Sequence, residues 1–365
     1  MDFIDLKSQY AALRDNINAR IQTVLDHGQY ILGPEVKEME AALIAYTGAK
    51  HCISVASGTE ALLICLMALD LQPGDEVITS PFTFAATAEM IVLAGGVPVF
   101  VDIQPDTANI DPTLIEAAIT AKTKAIMPVS LYGQVADMGA INAIAAKHGL
   151  AVIEDAAQSF GASYQGKKSC NLSTFGCTSF FPSKPLGCYG DGGAIFTSDD
   201  VLAQACREIR THGQSQRYLH TRMGVGGRMD TLQCAVVLGK LDRFEWEVRR
   251  RLELGDAYKR KLQAAIPGVQ LLAVREDRDC VWAQYTVFVN DREAVQARLK
   301  EAGVPTAVHY PRPLHHQPAY AKYSSPEACP HSIAAAQRVM SLPMSADLTD
   351  AQQGSVVAAL AEALA

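Results

Sequence analysis

The sequence has no hydrophobic run long enough to cross a membrane. Its longest strongly apolar stretch, Ala61–Leu69, is far shorter than the ~20 residues that a membrane-spanning helix needs. The first residues, Met1–Lys7, contain no apolar signal region. Basic blocks and zinc-finger spacings are also missing, and the net charge is −7. We therefore expect a cytoplasmic protein that binds neither a membrane nor nucleic acid.

Paired cysteines are absent as well. The nine cysteines are scattered singly and form no Cys-x-x-Cys motif. Unpaired cysteines in odd number are typical of the reducing cytosol, where thiols serve as small core residues. No metal site is predicted. With 365 residues, of which 49% are hydrophobic and 19% charged, the chain has a globular composition and room for one large and one smaller domain.

Strand-like and helix-like segments alternate along most of the chain. Short β-rich runs lie at His51–Val55, Glu76–Thr79, Val97–Val101, Ala125–Val129, Ala151–Ile153, Thr178–Phe181 and Ala194–Thr197. Helical patterns cover Thr59–Leu69, Phe84–Ala94, Pro112–Ile119, Met138–His148 and Asp199–Thr211. This alternation predicts an α/β fold with a largely parallel sheet.

The last third of the chain has a different pattern. A long predicted helix from Asp230 to about Ala264 is followed by a composition shift at Ile266–Gly268. One strand pattern at Trp282–Val289, a helix at Arg292–Ala302 and two further helices complete the chain. We predict a large domain over residues 1–264, which includes an N-terminal helix, and a small α+β domain over residues 265–365.

The segment around Lys184 carries the strongest chemical signal. An apolar pair, Phe180 and Phe181, leads into this lysine, and four glycines follow within residues 187–193. This arrangement predicts a buried amine that backbone can approach closely. Burial lowers the pKa of a lysine toward the range in which it is a nucleophile. Such lysines form Schiff bases with carbonyl compounds, most commonly with pyridoxal phosphate. An ordinary exposed lysine is the alternative.

Two further segments can complete a pocket for this cofactor. A hydroxyl-rich turn at Ser57–Thr59 connects a strand to a helix, and helix N-termini bind phosphate through free N–H groups. Ser179 can add a hydroxyl. Asp155 ends an apolar strand, where a carboxylate can pair with a pyridinium N–H. Gln158 can bind the ring hydroxyl. The alternatives are a plain helix cap for the turn and a capping role for the carboxylate.

Aromatic and basic residues provide candidate contacts for the ring and for substrates. Phe84 follows a strand and can stack on a planar cofactor, although it can equally be a core residue. Arg228, in a glycine-rich loop before a helix, can bind a carboxylate or form a salt bridge with Asp230 or with a neighbouring helix. His309 and Tyr310 lie in the predicted small domain, where such a pair is more often structural than catalytic.

Taken together, these motifs resemble the DegT/DnrJ/EryC1/StrS family of sugar aminotransferases. The resemblance runs from Gly28–Val36 through Pro305–Pro311. It implies the fold type I architecture of aspartate aminotransferase, with a mostly parallel seven-stranded sheet. It also implies a homodimer with active sites at the interface, and pyridoxal 5'-phosphate as cofactor.

The family pattern gives each motif residue a role. It implies that Lys184 binds the cofactor covalently and moves protons, and that Asp155 and Gln158 hold the ring. The stacking residue would be Phe84. The phosphate would lie on Gly58, Thr59 and Ser179. Members with histidine at the lysine position act as dehydratases, which Lys184 argues against here.

Within the family, Ile153–Phe196 and Val129–Gln134 resemble one subgroup. It moves the amino group of L-glutamate to the C3 ketone of a UDP-linked 2-acetamido-3-keto-hexuronic acid, releasing 2-oxoglutarate. This step serves the 2,3-diamino sugars of O-antigen and lipopolysaccharide. By the same resemblance Arg228 would bind the carboxylates of glutamate and of the sugar, and His309 and Tyr310 would line the sugar pocket.

One departure from the family pattern concerns the glycine-rich loop. The family usually has asparagine two residues before the arginine, reaching across the dimer to the phosphate, whereas this chain has Gly226. Arg222 or a water molecule is a candidate substitute.

The sequence leaves one alternative function open and argues against two others. The same motifs serve aminotransferases of other dTDP- or UDP-linked keto-sugars, so the acceptor is not fixed by them. A catalytically silent binding or regulatory protein could keep the fold, but the joint presence of Lys184, Asp155 and Gln158 argues against it. A NAD-linked oxidoreductase fits poorly, because no G-x-G-x-x-G motif follows an early strand.

Overall fold

The computed structural model describes residues 1–365. Its α-helices, α1 to α11, are Leu6–His27, Pro34–Thr47, Gly58–Ala68, Ala85–Leu93, Pro112–Ile115, Met138–His148, Asp200–Ile209, Thr231–Ala265, Arg292–Glu301, Pro330–Arg338 and Asp350–Leu364. Its strands, β1 to β14, are His51–Val55, Glu76–Thr79, Val97–Phe100, Thr123–Met127, Ala151–Asp155, Ser163–Tyr164, Lys167–Lys168, Phe175–Ser179, Gly193–Thr197, Gln214–Gln216, Leu219–His220, Gln270–Leu271, Tyr285–Phe288 and Val339–Leu342. Short 3-10 helices cover Glu116–Ala118, Leu131–Gly133, Leu314–His316 and Ala321–Tyr323.

Seven strands form one sheet in the order β1-β9-β8-β5-β4-β2-β3. Strands β8, β5, β4, β2 and β3 pair in parallel, whereas β9 is antiparallel to both of its neighbours. Apolar side chains of the sheet pack against α1, α2, α6 and α8 in one buried cluster and against α3, α4 and α7 in another. The predicted α/β architecture with a largely parallel sheet is confirmed.

The topology brings several strand ends to one edge of this sheet. Strand β5 ends at Asp155 and its parallel neighbour β8 ends at Ser179. Because β9 is antiparallel to both β1 and β8, these two strands run in the same direction. Strand β1 therefore ends at the same edge and leads through Ser57 into α3. Open α/β sheets bind their ligands at this carboxyl edge.

Some element boundaries differ from the sequence-based expectation. The strand expected at Thr178–Phe181 lies at Phe175–Ser179, three residues earlier at its start. The apolar Phe180 and Phe181 extended the predicted strand past its true end. Phe180 is buried although it lies outside the strand, and Phe181 is 51% exposed. The chain turns out of the sheet after Ser179, whose hydroxyl accepts the N–H of Phe181 at 3.2 Å.

Beyond the sheet, α8 continues for 35 residues to Ala265. Strands β12, β13 and β14 then form a three-stranded antiparallel sheet. A separate buried cluster lies between this sheet, the end of α8, and helices α9 and α11. The domain boundary at residues 264 and 265 stays a prediction. No helix in the chain combines the length and the apolarity that crossing a membrane requires.

Candidate active site

Lys184 lies in the turn that follows β8, close to the carboxylate of Asp155. Burial lowers the pKa of its amine, and the negative charge of Asp155 partly opposes this effect. The amine forms no hydrogen bond or ion pair within the chain, although its backbone N–H donates to Phe181 at 2.9 Å. The side chain is half-buried, so the site holds a partly desolvated amine with free hydrogen-bonding capacity.

The carboxylate of Asp155 is fixed by two donors. The Thr87 hydroxyl donates to Oδ2 at 2.8 Å, and the N–H of Ala157 donates to Oδ1 at 3.2 Å. The Thr83 hydroxyl lies 3.1 Å from that of Thr87 and extends the chain of hydroxyls. Burial raises the pKa of Asp155, whereas these donors and the charge of Lys184 lower it. A cation placed against this carboxylate would favour its ionised form further.

Gln158 connects the sheet edge to the C-terminal part of the chain. Its Oε1 accepts the N–H of Tyr132 at 2.8 Å, and its Nε2 donates to the hydroxyl of Tyr310 at 3.1 Å. The Tyr132 hydroxyl in turn donates to the carbonyl of His309. An amide nitrogen carries two hydrogens, so one N–H of Gln158 remains free for a ligand.

His309 and Tyr310 therefore face the same site as the lysine. Burial is the main cause that lowers the pKa of His309 to about 4, and the charge of Lys184 adds to it. The imidazole is neutral at physiological pH, and its Nδ1 lies 3.1 Å from the Ser341 hydroxyl. Burial and the charge of Asp155 raise the pKa of Tyr310.

The predicted phosphate turn lies where α3 begins beside the end of β8. A Cβ added at Gly58 would come within 2.6 Å of the Ser179 Cβ, so only glycine permits this approach. The Ser57 hydroxyl caps the helix by accepting the N–H of Glu60 at 3.1 Å. The first N–H groups of any helix have no partner within it, so those at Gly58 and Thr59 are available to an anion. The turn is therefore both a helix cap and a possible anion site.

Phe84 is not a core residue, because 58% of it is exposed. It immediately precedes α4, and its ring centroid lies 6.3 Å from that of Tyr310. A large aromatic ring left open beside Tyr310 offers a surface for stacking.

Arg228 is not bonded to any of these residues. It makes no hydrogen bond or ion pair with Asp230 or with any other residue of the chain. The preceding Gly227 carbonyl accepts the N–H of Ala56 at 2.9 Å, which ties the glycine-rich loop to the end of β1.

The space beside Gly226 is taken by a histidine. A Cβ added at Gly226 would lie 3.2 Å from the Cε1 of His212 and 3.6 Å from the guanidinium of Arg228. Arg222, a candidate substitute for the family asparagine, instead pairs with Glu208 at 2.7 Å. The structure therefore puts an imidazole, and not Arg222, beside this glycine.

The residues that orient Asp155 and Gln158 were not predicted from the sequence. Thr87 and Tyr132 hold Asp155 and Gln158, and neither was predicted as part of the site. The one available signal was spacing: Thr83 and Thr87 are four residues apart at the start of a predicted helix, so their hydroxyls can lie on one face. Nothing in the sequence pairs Tyr132 with Gln158.

Comparison with known proteins identifies the family to which the chain is similar. The pattern of the DegT/DnrJ/EryC1/StrS aminotransferase family matches residues 11–361. The chain is 59% identical over 360 residues to the UDP-2-acetamido-2-deoxy-3-oxo-D-glucuronate aminotransferase of Pseudomonas aeruginosa, covering 99% of each protein.

Solved structures have the same fold. The crystal structure of a DegT DnrJ EryC1 StrS aminotransferase from Brucella abortus superposes with a TM-score of 0.96 at 40% identity, covering 100% of this chain and 99% of the other. NtdA from Bacillus subtilis, solved with bound cofactor PMP, gives a TM-score of 0.93 at 33% identity, covering 100% of this chain and 85% of that one. The fold is thus the predicted fold type I. The chain belongs to the DegT/DnrJ/EryC1/StrS aminotransferase family and is a pyridoxal-phosphate-dependent enzyme.

Proposed function

We propose that the enzyme transfers the amino group of L-glutamate to the C3 ketone of a UDP-linked 2-acetamido-3-keto-hexuronic acid. The product would serve the 2,3-diamino sugars of O-antigen and lipopolysaccharide. The observation that carries the proposal is the half-buried, partly desolvated amine of Lys184 beside Asp155, in a chain 59% identical to an enzyme named for this type of substrate. This identity favours the 3-keto uronic acid over other nucleotide-linked keto-sugars.

The residues at the sheet edge fit pyridoxal phosphate. A close glycine–serine approach, a free helix N-terminus, a buried carboxylate and an exposed aromatic ring match its phosphate, ring nitrogen and ring face. We assign the phosphate to Gly58, Thr59 and Ser179, and the ring face to Phe84. Ser179 Oγ accepts from Phe181, so its own hydrogen is free to donate.

Bound pyridoxal phosphate supplies an electron-withdrawing ring and a carbon that carries the amino group between two substrates. The chain's residues do the rest. Lys184 Nζ takes the proton from the Cα of glutamate and returns protons in the second half-reaction. Asp155 keeps the ring nitrogen protonated, and the free N–H of Gln158 holds the ring oxygen. His309 and Tyr310 exclude water and line the sugar pocket.

Both substrates carry a carboxylate, so one arginine can serve both half-reactions. Arg228 is suited to this because its guanidinium is uncommitted within the chain and binds carboxylates as a fork. We propose that the active enzyme is a homodimer and that Arg228 completes the site of the partner subunit. In support, large apolar side chains are exposed at Tyr30, Ile31 and Leu32, and again at Tyr218 and Met223.

We also propose that the enzyme works in the cytoplasm. All nine cysteines are free, and the Sγ atoms of Cys65 and Cys177 lie 3.4 Å apart without a bond between them. Free thiols at this separation fit a reducing compartment.

The absorption spectrum of the purified protein, before and after addition of L-glutamate, tests the proposal. We expect a visible band that collapses to the near-ultraviolet, with release of one equivalent of 2-oxoglutarate. Lys184→Ala should abolish turnover, because it removes the covalent attachment and an acid–base step worth about 10²–10⁴-fold.

Lys240→Met is the matched control, since Lys240 is also buried and burial lowers its pKa to about 8. Its Nζ lies 4.5 Å from the ring centroid of Tyr189, and we give it no role in the site. If Lys240→Met lost the band and Lys184→Ala kept it, the assignment would be wrong. If a nucleotide-linked 4-keto sugar were turned over as fast as the 3-keto uronic acid, the substrate assignment would be wrong, but the assignment of the cofactor lysine would stand.

A further inference from the structure

A cavity of about 530 Å³ opens beside the candidate active site. One wall is the Thr83–Ala85 segment, and the other is formed by residues between Tyr310 and Tyr320. Phe84 and Tyr310 belong to both the cavity and the site, so one ligand can occupy the two together. The volume falls within the roughly 300–1,000 Å³ typical of small-molecule pockets.

The charge of the lining selects an anion. Of the eleven lining residues, Arg312 alone is charged at neutral pH, and no carboxylate lines the cavity. Arg312 is exposed, and its guanidinium makes no hydrogen bond or ion pair within the chain. A guanidinium presents a rigid fork of donors that matches phosphate oxygens. The cavity is therefore suited to a phosphate-bearing ligand and unsuited to a cation.

The rest of the lining is suited to a flat heterocycle. Leu314, Pro318 and Tyr320 are apolar or aromatic. Gln317 lines the same cavity, and its side-chain amide forms no hydrogen bond within the chain. An amide offers a donor and an acceptor side by side, which can pair with the polar edge of a base. Aromatic and apolar surfaces accept the face of such a ring.

We propose that this cavity holds the nucleoside diphosphate of the substrate, with Arg312 on the diphosphate and Gln317 at the edge of the base. The inference rests on the proposed function, because it assumes that the keto-sugar ring lies against Tyr310. Arg312 follows Tyr310 by two residues, which span at most ~7 Å of extended chain. Both residues line the same cavity, so a ligand whose sugar ring lies against Tyr310 can bring the diphosphate that follows the sugar to Arg312.

Calorimetric titration of the pyridoxal-phosphate-loaded protein with UDP tests this assignment. We expect UDP to bind, and Arg312→Gln to weaken it about tenfold or more, as for other hydrogen bonds to charged groups. Uridine should bind more weakly than UDP, and Arg312→Gln should leave its affinity unchanged. Arg249→Gln is the matched control, because Arg249 is also exposed and without partners but lies on α8, outside the cavity.

The glutamate-driven spectral change, measured on each variant, separates this inference from the proposed function. Equal UDP affinity in wild type and Arg312→Gln would overturn the inference, as would no UDP binding at millimolar concentration in a protein that reacts with glutamate. Inorganic pyrophosphate binding as tightly as UDP would reduce the cavity to a general anion site and overturn the base assignment. UDP binding that depends on Arg312, in a protein that never reacts with glutamate, would keep the cavity and remove the proposed reaction.

Discussion

Asp155 receives two hydrogen bonds within the chain, one from the Thr87 hydroxyl and one from the Ala157 N–H. Both favour the ionised carboxylate, whereas burial favours the protonated acid. A carboxylate that keeps a ring nitrogen protonated must itself be ionised. At the scale of single residues, Thr87 is therefore a positioning residue. Its hydroxyl lowers the pKa of Asp155 and so favours the ionised carboxylate, and we assign it no contact with substrate.

Thr87→Val should move the acid limb of the activity profile to higher pH. Without the hydroxyl, the pKa of Asp155 rises further, so the carboxylate protonates at a higher pH. The free energy of unfolding should also fall by about 1–3 kcal/mol, because one buried acceptor loses its donor. The measurement is the pH dependence of kcat and of the visible absorption band. Thr87→Ser keeps the hydroxyl and should behave like wild type; a valine variant with the wild-type pH profile would refute the role.

His309 should make the stability of the cofactor-free protein depend on pH. Its pKa is lowered to about 4 in the folded chain, against about 6.5 when unfolded. Between these values the unfolded chain binds more protons, so the free energy of unfolding falls as the pH drops from about 6.5 toward 4. Denaturant titrations at pH 7.5 and 5 should show a smaller loss in His309→Gln. Equal losses in both proteins would mean that the folded chain does not lower the pKa of His309.

At the scale of elements, the site depends on how closely α3 approaches β8. The helix begins at Gly58, directly against Ser179 at the end of the strand. Glycine is needed here because of space and not because of backbone angles. The approach places the free N–H groups of the helix beside the Ser179 hydroxyl, and the proposed phosphate site requires both elements.

Gly58→Ala should therefore separate the two elements. Its Cβ would meet the Ser179 Cβ at 2.6 Å, and overpacking of this kind costs about 1–3 kcal/mol. We expect a lower free energy of unfolding and weaker binding of pyridoxal phosphate, measured by titrating the cofactor into stripped protein. Gly354→Ala is the control: it lies within α11 with no atom within 4 Å of an added Cβ, so it should stabilise slightly. Unchanged cofactor affinity in Gly58→Ala would contradict the assigned phosphate site.

At the scale of the whole molecule, the site within one chain holds the lysine and its partners but leaves Arg228 uncommitted. A homodimer whose subunits exchange this residue would give each site a carboxylate-binding group. This arrangement makes activity depend on assembly in a way that can be measured.

Coexpression of Lys184→Ala and Arg228→Ala subunits with different tags tests the exchange. If Arg228 serves the partner's site, each mixed dimer has one complete site, and random assembly recovers about a quarter of wild-type activity. If Arg228 acts in its own subunit, mixed dimers contain no complete site and activity stays near zero. Each variant alone should be inactive or nearly so, and purification through both tags isolates the mixed species.

Much of the fold could be predicted, because alternating strands and helices leave strong local patterns. Strand β1 and helix α6 begin and end at the predicted residues. The strand before Lys184 was predicted too late, since two consecutive phenylalanines have the local pattern of a strand although the chain has already left the sheet. The short pairs β6–β7 and β10–β11 were not predicted, because two- and three-residue strands carry almost no periodicity.

The sequence by itself determined the chemistry available to this protein: a lysine between an apolar pair and glycines, and a carboxylate at the end of an apolar strand. These features are local, because each is defined by residues that are adjacent in the sequence. Only the tertiary structure decided which partners each group has. Thr87 lies 68 residues from Asp155, and Tyr310 lies 152 residues from Gln158. The sheet and the packing of the C-terminal part against it bring these groups together, and such long-range contacts leave no signal in a single sequence.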